Sequence, residues 1–429
     1  MNTNQEPQRP AAPSQPQSSQ SQSQSQSPQA PQGYPPYQVP PSYPAPTGQP
    51  TQTYYQSQSQ PVRFVPAPAP APMPNQSVPP VRPMPPVQPV PQTLPQDPRK
   101  VQQRMRRRMV NRPVGLTLAY EVVMNIGAAM AALTIVIVTM AERSELTNLM
   151  VIRHTGIVML VAVTCAIVFL LFMRRKDILT REFWLGGPHR DNYGEPWQIG
   201  RVSRYGGAHM KPLWLLVFLT LCLGIQGVVT LVQLGFSAIG LSLPSPTSES
   251  ITESAVTMSM WLYIGLIGPI CEEVLFRGVL LKELKPFGRN FAIVTSALLF
   301  GLFHGDVVQG AFAFLMGLLL GFVAMEYSLV WAIALHIFNN AILSGVVDGL
   351  ASHYLDDNGY LAYSLILSLI GVAGTILAFV VYGRGLKAYV RANRSAPGTY
   401  LGWTSWTFIV FVAGNALTAI VSFIGALMG

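Results

Sequence analysis

The chain is predicted to be an all-α polytopic membrane protein of about eight to nine transmembrane helices with a disordered N-terminal tail. Three observations predict this. Long apolar runs fill the chain, all of them after residue 115. Only 11% of residues are charged against 49% hydrophobic. Lys and Arg gather in alternate connecting segments, as they do when loops alternate between the two sides of a bilayer.

The first element, residues 1–98, is rich in Pro, Gln and Ser, as in SQSQSQSPQ and PAPAPAPMP. It offers few side chains that could bury a core, so it is expected to be disordered and partly polyproline-like. Its start lacks the basic-then-apolar pattern of a secretory signal, which predicts a cytoplasmic tail. PxxP-like stretches in it could meet protein partners, whose identity the sequence leaves open. Residues 99–112, RKVQQRMRRRMVNR, form a basic juxtamembrane segment. Directly before an apolar span, such a segment is expected to meet anionic lipid headgroups and set topology, not to bind nucleic acid. The net charge of +9 is read the same way.

The transmembrane domain is predicted over 113–429. Apolar runs appear at about 117–141, 151–173, 212–236, 256–281, 291–304, 308–326, 329–347, 361–383 and 403–428. The fifth covers only about 21 Å at 1.5 Å per residue, so it either stops inside the membrane or continues past His304. With the N-terminus inside, the segments 173–184, 201–211, 282–290 and 382–394 collect Lys and Arg on the cytoplasmic side. The opposite segments 244–254 and 347–360 hold neither, while Arg143 and Arg153 go against the trend. Cys165, Cys222 and Cys271 all fall in apolar runs, which predicts packed thiols and no disulfide framework. Gly317 and Gly321 make a GxxxG, read as close helix packing. Gln226, Gln233, Glu121, Asn125 and Asn415 are read as singly scattered polar groups that satisfy neighbouring helices, and Asp306 as a residue that could tune His304.

The stretch GPICEEVLFRG, 268–278, places Glu272, Glu273 and Arg277 in an apolar run. Each charge near a bilayer centre costs roughly 2.5 to 3.5 kcal/mol unless it is paired or hydrated. Glu273 and Arg277 are four apart and can pair on one helix face. Glu272 points about 100° away and is left over. Pro269 is expected to weaken the helix just before the glutamates. FGLFHGD, 300–306, adds His304, and LHIFNNA, 335–341, adds His336 and Asn340 on one face, with Asn339 rotated off it. A carboxylate in a low-dielectric pocket suits a general base that takes a proton from water. A histidine can hold that water, and a His and Asn on one face can donate to an oxyanion. The set fits hydrolysis of an acyl bond, most plausibly a peptide bond. GxSxG and HExxH are absent, although Glu272, His304 and His336 could by composition hold a divalent metal such as zinc.

In order, EExxxR at 272–277, FxxxH at 300–304 and HxxxN at 336–340 resemble the CAAX-protease and bacteriocin-processing (CPBP, or Abi) intramembrane proteases. The resemblance covers about 255–350. It implies that Glu272 activates water with help from His304, that His336 and Asn340 form an oxyanion hole, and that Glu273 and Arg277 support them. Members are described both as metalloproteases and as glutamate-dependent enzymes; the reading favoured here needs no cofactor. The expected substrate is a peptide or membrane protein at the cell membrane. The compact chain with its Gln- and Pro-rich tail looks bacterial, which points away from prenylated substrates. A non-catalytic membrane scaffold or bacteriocin-immunity protein, or an ion-coupled transporter, are the competing functions. The absence of repeated interrupted helices counts against the transporter.

Overall fold

The structure, a computed structural model, describes residues 97–142, 147–186, 208–255 and 257–428. The Pro/Gln/Ser-rich tail up to residue 96 and most of the polar segment 186–197 lie outside them. Every element in the described part is helical. In chain order they are α1 (Pro98–Ala141), α2 (Asn148–Ile178), the short α3 (Arg181–Leu185), α4 (Pro212–Ala238) and α5 (Pro246–Ser254). They are followed by α6 (258–284), α7 (Arg289–Phe303), α8 (Val307–Glu326), α9 (Leu329–Tyr354), α10 (Asp357–Ala392) and α11 (Trp406–Met428).

Among the described residues, seven helices are long and apolar enough to cross a membrane: α1, α2, α4, α8, α9, α10 and α11. The remaining two apolar runs are helices that hold the EExxxR and FxxxH motifs. α6 is helical throughout but alternates between α and π geometry, and α7 is the short helix. The bundle is apolar on its outside, with Phe172 75% and Val380 74% exposed. Apolar outer faces on spanning-length helices are what a lipid solvent requires, and the chain is a membrane protein.

The basic segment 99–112 is not separate from the first span. It is the opening of α1, which runs unbroken through Pro113. α1 packs along α2, α4 along α10, and α7 along α8. The inner core gathers Leu275, Phe276, Phe300 and Phe411, all essentially inaccessible. Cys165, Cys222 and Cys271 are free thiols, and Cys165 is exposed on the outer surface.

α7 and α8 form a tight hairpin that ends the short helix inside the bundle. His304 closes α7, Gly305 adopts φ +60°, and Asp306 caps α8 by accepting from the Gln309 amide at 2.8 Å. The left-handed turn favours glycine because a Cβ is disfavoured there. The other Asp306 oxygen accepts from Ser245 Oγ at 3.0 Å and from the Thr247 amide at 3.2 Å. Asp306 therefore caps and clamps the hairpin, and does not tune His304. The GxxxG on α8 packs as expected, and Gly317 is its tightest point. A Cβ there would sit 3.0 Å from Ala297 and 3.3 Å from Arg277 Nη2.

Candidate active site

Glu272 and Glu273 lie on α6 between two π-helical stretches, Tyr263–Ile267 and Val274–Leu280. The first has a covalent cause. Pro269 has no N–H, so the carbonyls four and five residues before it, those of Gly265 and Ile264, lose a backbone donor. The Gly268 amide bonds to the Tyr263 carbonyl, five residues back. The Ile264 carbonyl is instead met from α9, where Asn340 Nδ2 donates to it at 3.2 Å. Proline thus exposes a main-chain acceptor in α6 that Asn340 can take.

Asn340 lies in a third π stretch, Phe338–Val347. The wider turn alters the side-chain bearings expected of a regular helix. Asn339, read from sequence as rotated away, is buried and donates to Asn340 Oδ1 at 3.0 Å. With the oxygen of Asn340 held by Asn339 and its nitrogen turned to Ile264, the amide is fixed at both ends. π stretches are rare and concentrate at functional sites; here all three flank or contain polar residues of the motif.

The expected pair of Glu273 and Arg277 is present and wholly buried, with Arg277 Nη1 donating to Glu273 Oε1 at 2.7 Å. His336 Nδ1 meets the same Oε1 at 2.9 Å. The other ring nitrogen, Nε2, stands 3.8 Å from Glu272 Oε2. His336 is therefore set between the two glutamates, and only Glu272, 18% exposed, retains access. The Arg277 guanidinium also lies over the Phe300 ring at 4.1 Å. That contact is worth about 2 kcal/mol when desolvated. It matters because Arg277 Nε and Nη2 make no hydrogen bond among the described residues.

Phe300 organises both histidines. Its ring is edge-on to His304 at 4.9 Å and to His336 at 5.9 Å. His304 Nδ1 bonds to the Phe300 carbonyl at 2.8 Å, which assigns the proton to Nδ1 and leaves Nε2 free. His304 is within electrostatic range of Glu272 and His336, although its described hydrogen bond goes to its own helix. The structure thus brings all six predicted residues together and adds Asn339. It also brings Tyr120 of α1 and Tyr263 of α6 within electrostatic range of Glu272. On α7, Ser296 donates to the Phe276 carbonyl at 2.9 Å and holds the second π stretch.

The donor set bears on the metal alternative through the atoms it leaves free. Among the described residues no three His, Cys, Asp or Glu side chains gather as a metal-holding group. Nδ1 of His336 bonds to Glu273 and Nδ1 of His304 to a carbonyl, the outer bonds that metal-ligating histidines commonly make, so the two Nε2 atoms and Glu272 are the groups that would hold a divalent metal. The described hydrogen bonds join Arg277 and His336 to Glu273, and Glu272 stands 3.8 Å beyond His336 Nε2.

A charge chain that is sealed at one end and reaches one accessible carboxylate, inside a helical bundle, defines a membrane-embedded carboxylate and histidine site. Residues 254–342, which hold all of it, match the family described as "Type II CAAX prenyl endopeptidase Rce1-like", and this segment is a domain of the CAAX-protease family. No curated protein and no solved structure matches the chain.

Proposed function

We propose that the chain is an intramembrane endopeptidase in which Glu272 activates the attacking water. The observation that carries this reading is the unequal treatment of the two glutamates. Glu273 is fully buried with Arg277 and His336, whereas Glu272 is 18% exposed and its ion-pair contact among the described residues is His336 at 3.8 Å. One carboxylate is structural, and the other is left available to a proton.

In the proposed step, Glu272 takes a proton from water as the water oxygen attacks the peptide carbonyl carbon. The carbonyl electrons move onto oxygen, giving a tetrahedral oxyanion. Asn340 Nδ2 has a second N–H beyond the one used by Ile264, and a protonated His336 Nε2 is a further donor. Glu273, already bonded to Nδ1 of His336, offsets the charge of that imidazolium. Collapse of the intermediate breaks the carbon–nitrogen bond, and the proton held by Glu272 passes to the leaving amine. His304 Nε2 is the acceptor that positions the water. No step runs through a metal.

The family description names CAAX prenyl endopeptidases; for this chain the proposed substrates are membrane-associated peptides or proteins. The Lys and Arg distribution supports a cytoplasmic N-terminus, with the basic opening of α1 at the anionic headgroups. The decisive test compares native and Glu272→Gln proteins in cell membranes by mass spectrometry of released peptides. The variant is expected to insert normally and to release none of the native products. Equal release by both would overturn the assignment.

A further inference from the structure

Polar residues recur on α4 as Gln226, Thr230 and Gln233, spaced four and three apart and so on one helix face. Gln226 meets a neighbouring helix, α9, as the sequence suggested, but the three are not scattered singly. They line a single cavity of about 920 Å³ between α4 and the start of α10, where Tyr360, Tyr363 and Ser364 face them. α9 supplies the third wall with Asp348, whose Oδ1 accepts from Tyr360 at 3.0 Å.

Two features separate this cavity from incidental polarity. Gln226 Oε1 and the Tyr363 hydroxyl are buried with no hydrogen-bond partner among the described residues, a state that costs free energy unless a ligand or water meets them. Asp348 is the lining's charged group, and no Lys, Arg or His lines the cavity among the described residues. A lining residue also bonds to the helix that carries His336 and Asn340. Gln226 Nε2 donates to Ser344 Oγ at 3.3 Å, and Ser344 falls four residues after Asn340 and four before Asp348. His336, Asn340, Ser344 and Asp348 thus recur at four-residue intervals as a polar strip in the sequence of α9, with bearings shifted by the π stretch Phe338–Val347.

We propose that this cavity is a second, cation-selective subsite that holds an extended polypeptide segment of the substrate, with a basic side chain at Asp348. This rests on the endopeptidase reading for calling that polypeptide the substrate. An extended main chain carries both groups the cavity lacks: an N–H for Gln226 Oε1 and a carbonyl for the Tyr363 hydroxyl. A lipid tail carries neither. Eight residues of helix from Asn340 to Asp348 span on the order of 10 Å, or roughly three to four residues of extended chain. A basic residue at that distance from the cleaved bond is the specificity the strip selects.

The test introduces Ser364→Cys into protein whose accessible Cys165 is replaced by Ala, and reads labelling in membranes. Positively and negatively charged thiosulfonates of equal size are compared. The cationic reagent should react about tenfold faster, as one carboxylate at close range in an intermediate dielectric predicts. The ratio should fall towards one in Asp348→Asn. A decapeptide carrying one Lys should protect the cysteine, and its Glu counterpart should not. Absence of labelling by either reagent, equal rates, or labelling without peptide protection would each overturn the subsite. All of these are repeated with Glu272→Gln. Protection that persists there while cleavage is lost supports both proposals. Protection with cleavage retained removes only the role of Glu272.

Discussion

Asn340 of α9 donates its amide to the Ile264 carbonyl of α6 at 3.2 Å, and it can do so because Pro269 gives that carbonyl no backbone donor. A proline that reads in sequence as a bend thus locates, on a different helix, the side chain proposed to stabilise the oxyanion. Pro269→Ala restores an N–H that competes for the carbonyl. The expected result is a stable, correctly inserted protein whose turnover falls by about a hundredfold, the scale on which small misplacements act. Peptide-release rates measured beside thermal melting in detergent check this, and unchanged turnover would show that Asn340 does not depend on the proline.

Asn340→Ala is expected to lower kcat by about a hundredfold to a thousandfold with little change in KM, the signature of a donor used only in the transition state. Asn339→Ala should produce a smaller loss of the same kind, because it removes the bond that orients the Asn340 amide. A KM effect without a kcat effect would reassign both residues to substrate binding.

Arg277→Met leaves Glu273 buried with His336 as its remaining described partner. Breaking such a pair costs about 3 to 5 kcal/mol, which denaturant melts in micelles can resolve. Adding Glu273→Gln should recover much of that stability without restoring activity, since the bond that sets His336 is then weakened. Additive losses in the double variant would indicate that the two side chains are not coupled.

Gly317→Ala pushes a methyl to within 3.0 Å of Ala297 and 3.3 Å of the Arg277 guanidinium. The overpacking should destabilise by about 1 to 3 kcal/mol. Gly321→Ala, whose nearest contact is the Ile293 Cγ2 at 3.3 Å, should cost less, because a side-chain methyl yields more easily than a helix backbone. The order of the two melting temperatures tests this.

Under the metal-free mechanism proposed above, treatment with a strong chelator is expected to leave peptide release unchanged. Loss of activity restored by added zinc would point to a metal on the free Nε2 atoms of His304 and His336 with Glu272, and would replace the proposed mechanism.

Much of this was legible in the sequence because a lipid solvent makes length and apolarity decisive. The nine apolar runs correspond to α1, α2, α4 and α6–α11. The Glu273 and Arg277 pair follows from four-residue spacing in a regular helix. What escaped were consequences of irregular helix geometry and of long-range contact. Asn339 was placed by an α-helical period that the π stretch at Phe338–Val347 does not obey. Asp306 sits beside His304 in sequence, yet its partners Ser245 and Thr247 lie far back in the chain. Tyr120 comes to Glu272 from the first span, with no local pattern to announce it.

Each π stretch takes more residues per turn than the α-helix around it, so everything beyond it is rotated relative to a uniform helix. In α6 this makes chain length as critical as residue type. Deleting a single residue from Tyr263–Ile267 would let the segment relax to ordinary helix with Glu272 near its present bearing, but would close the wide turn that leaves the Ile264 carbonyl to Asn340; a deletion between Gly268 and Cys271 would instead swing Glu272 by about 100° with every side chain of the motif still present. Across a diverging lineage, the tolerated changes in this helix should therefore be exchanges, and insertions or deletions should be confined to the connections outside it.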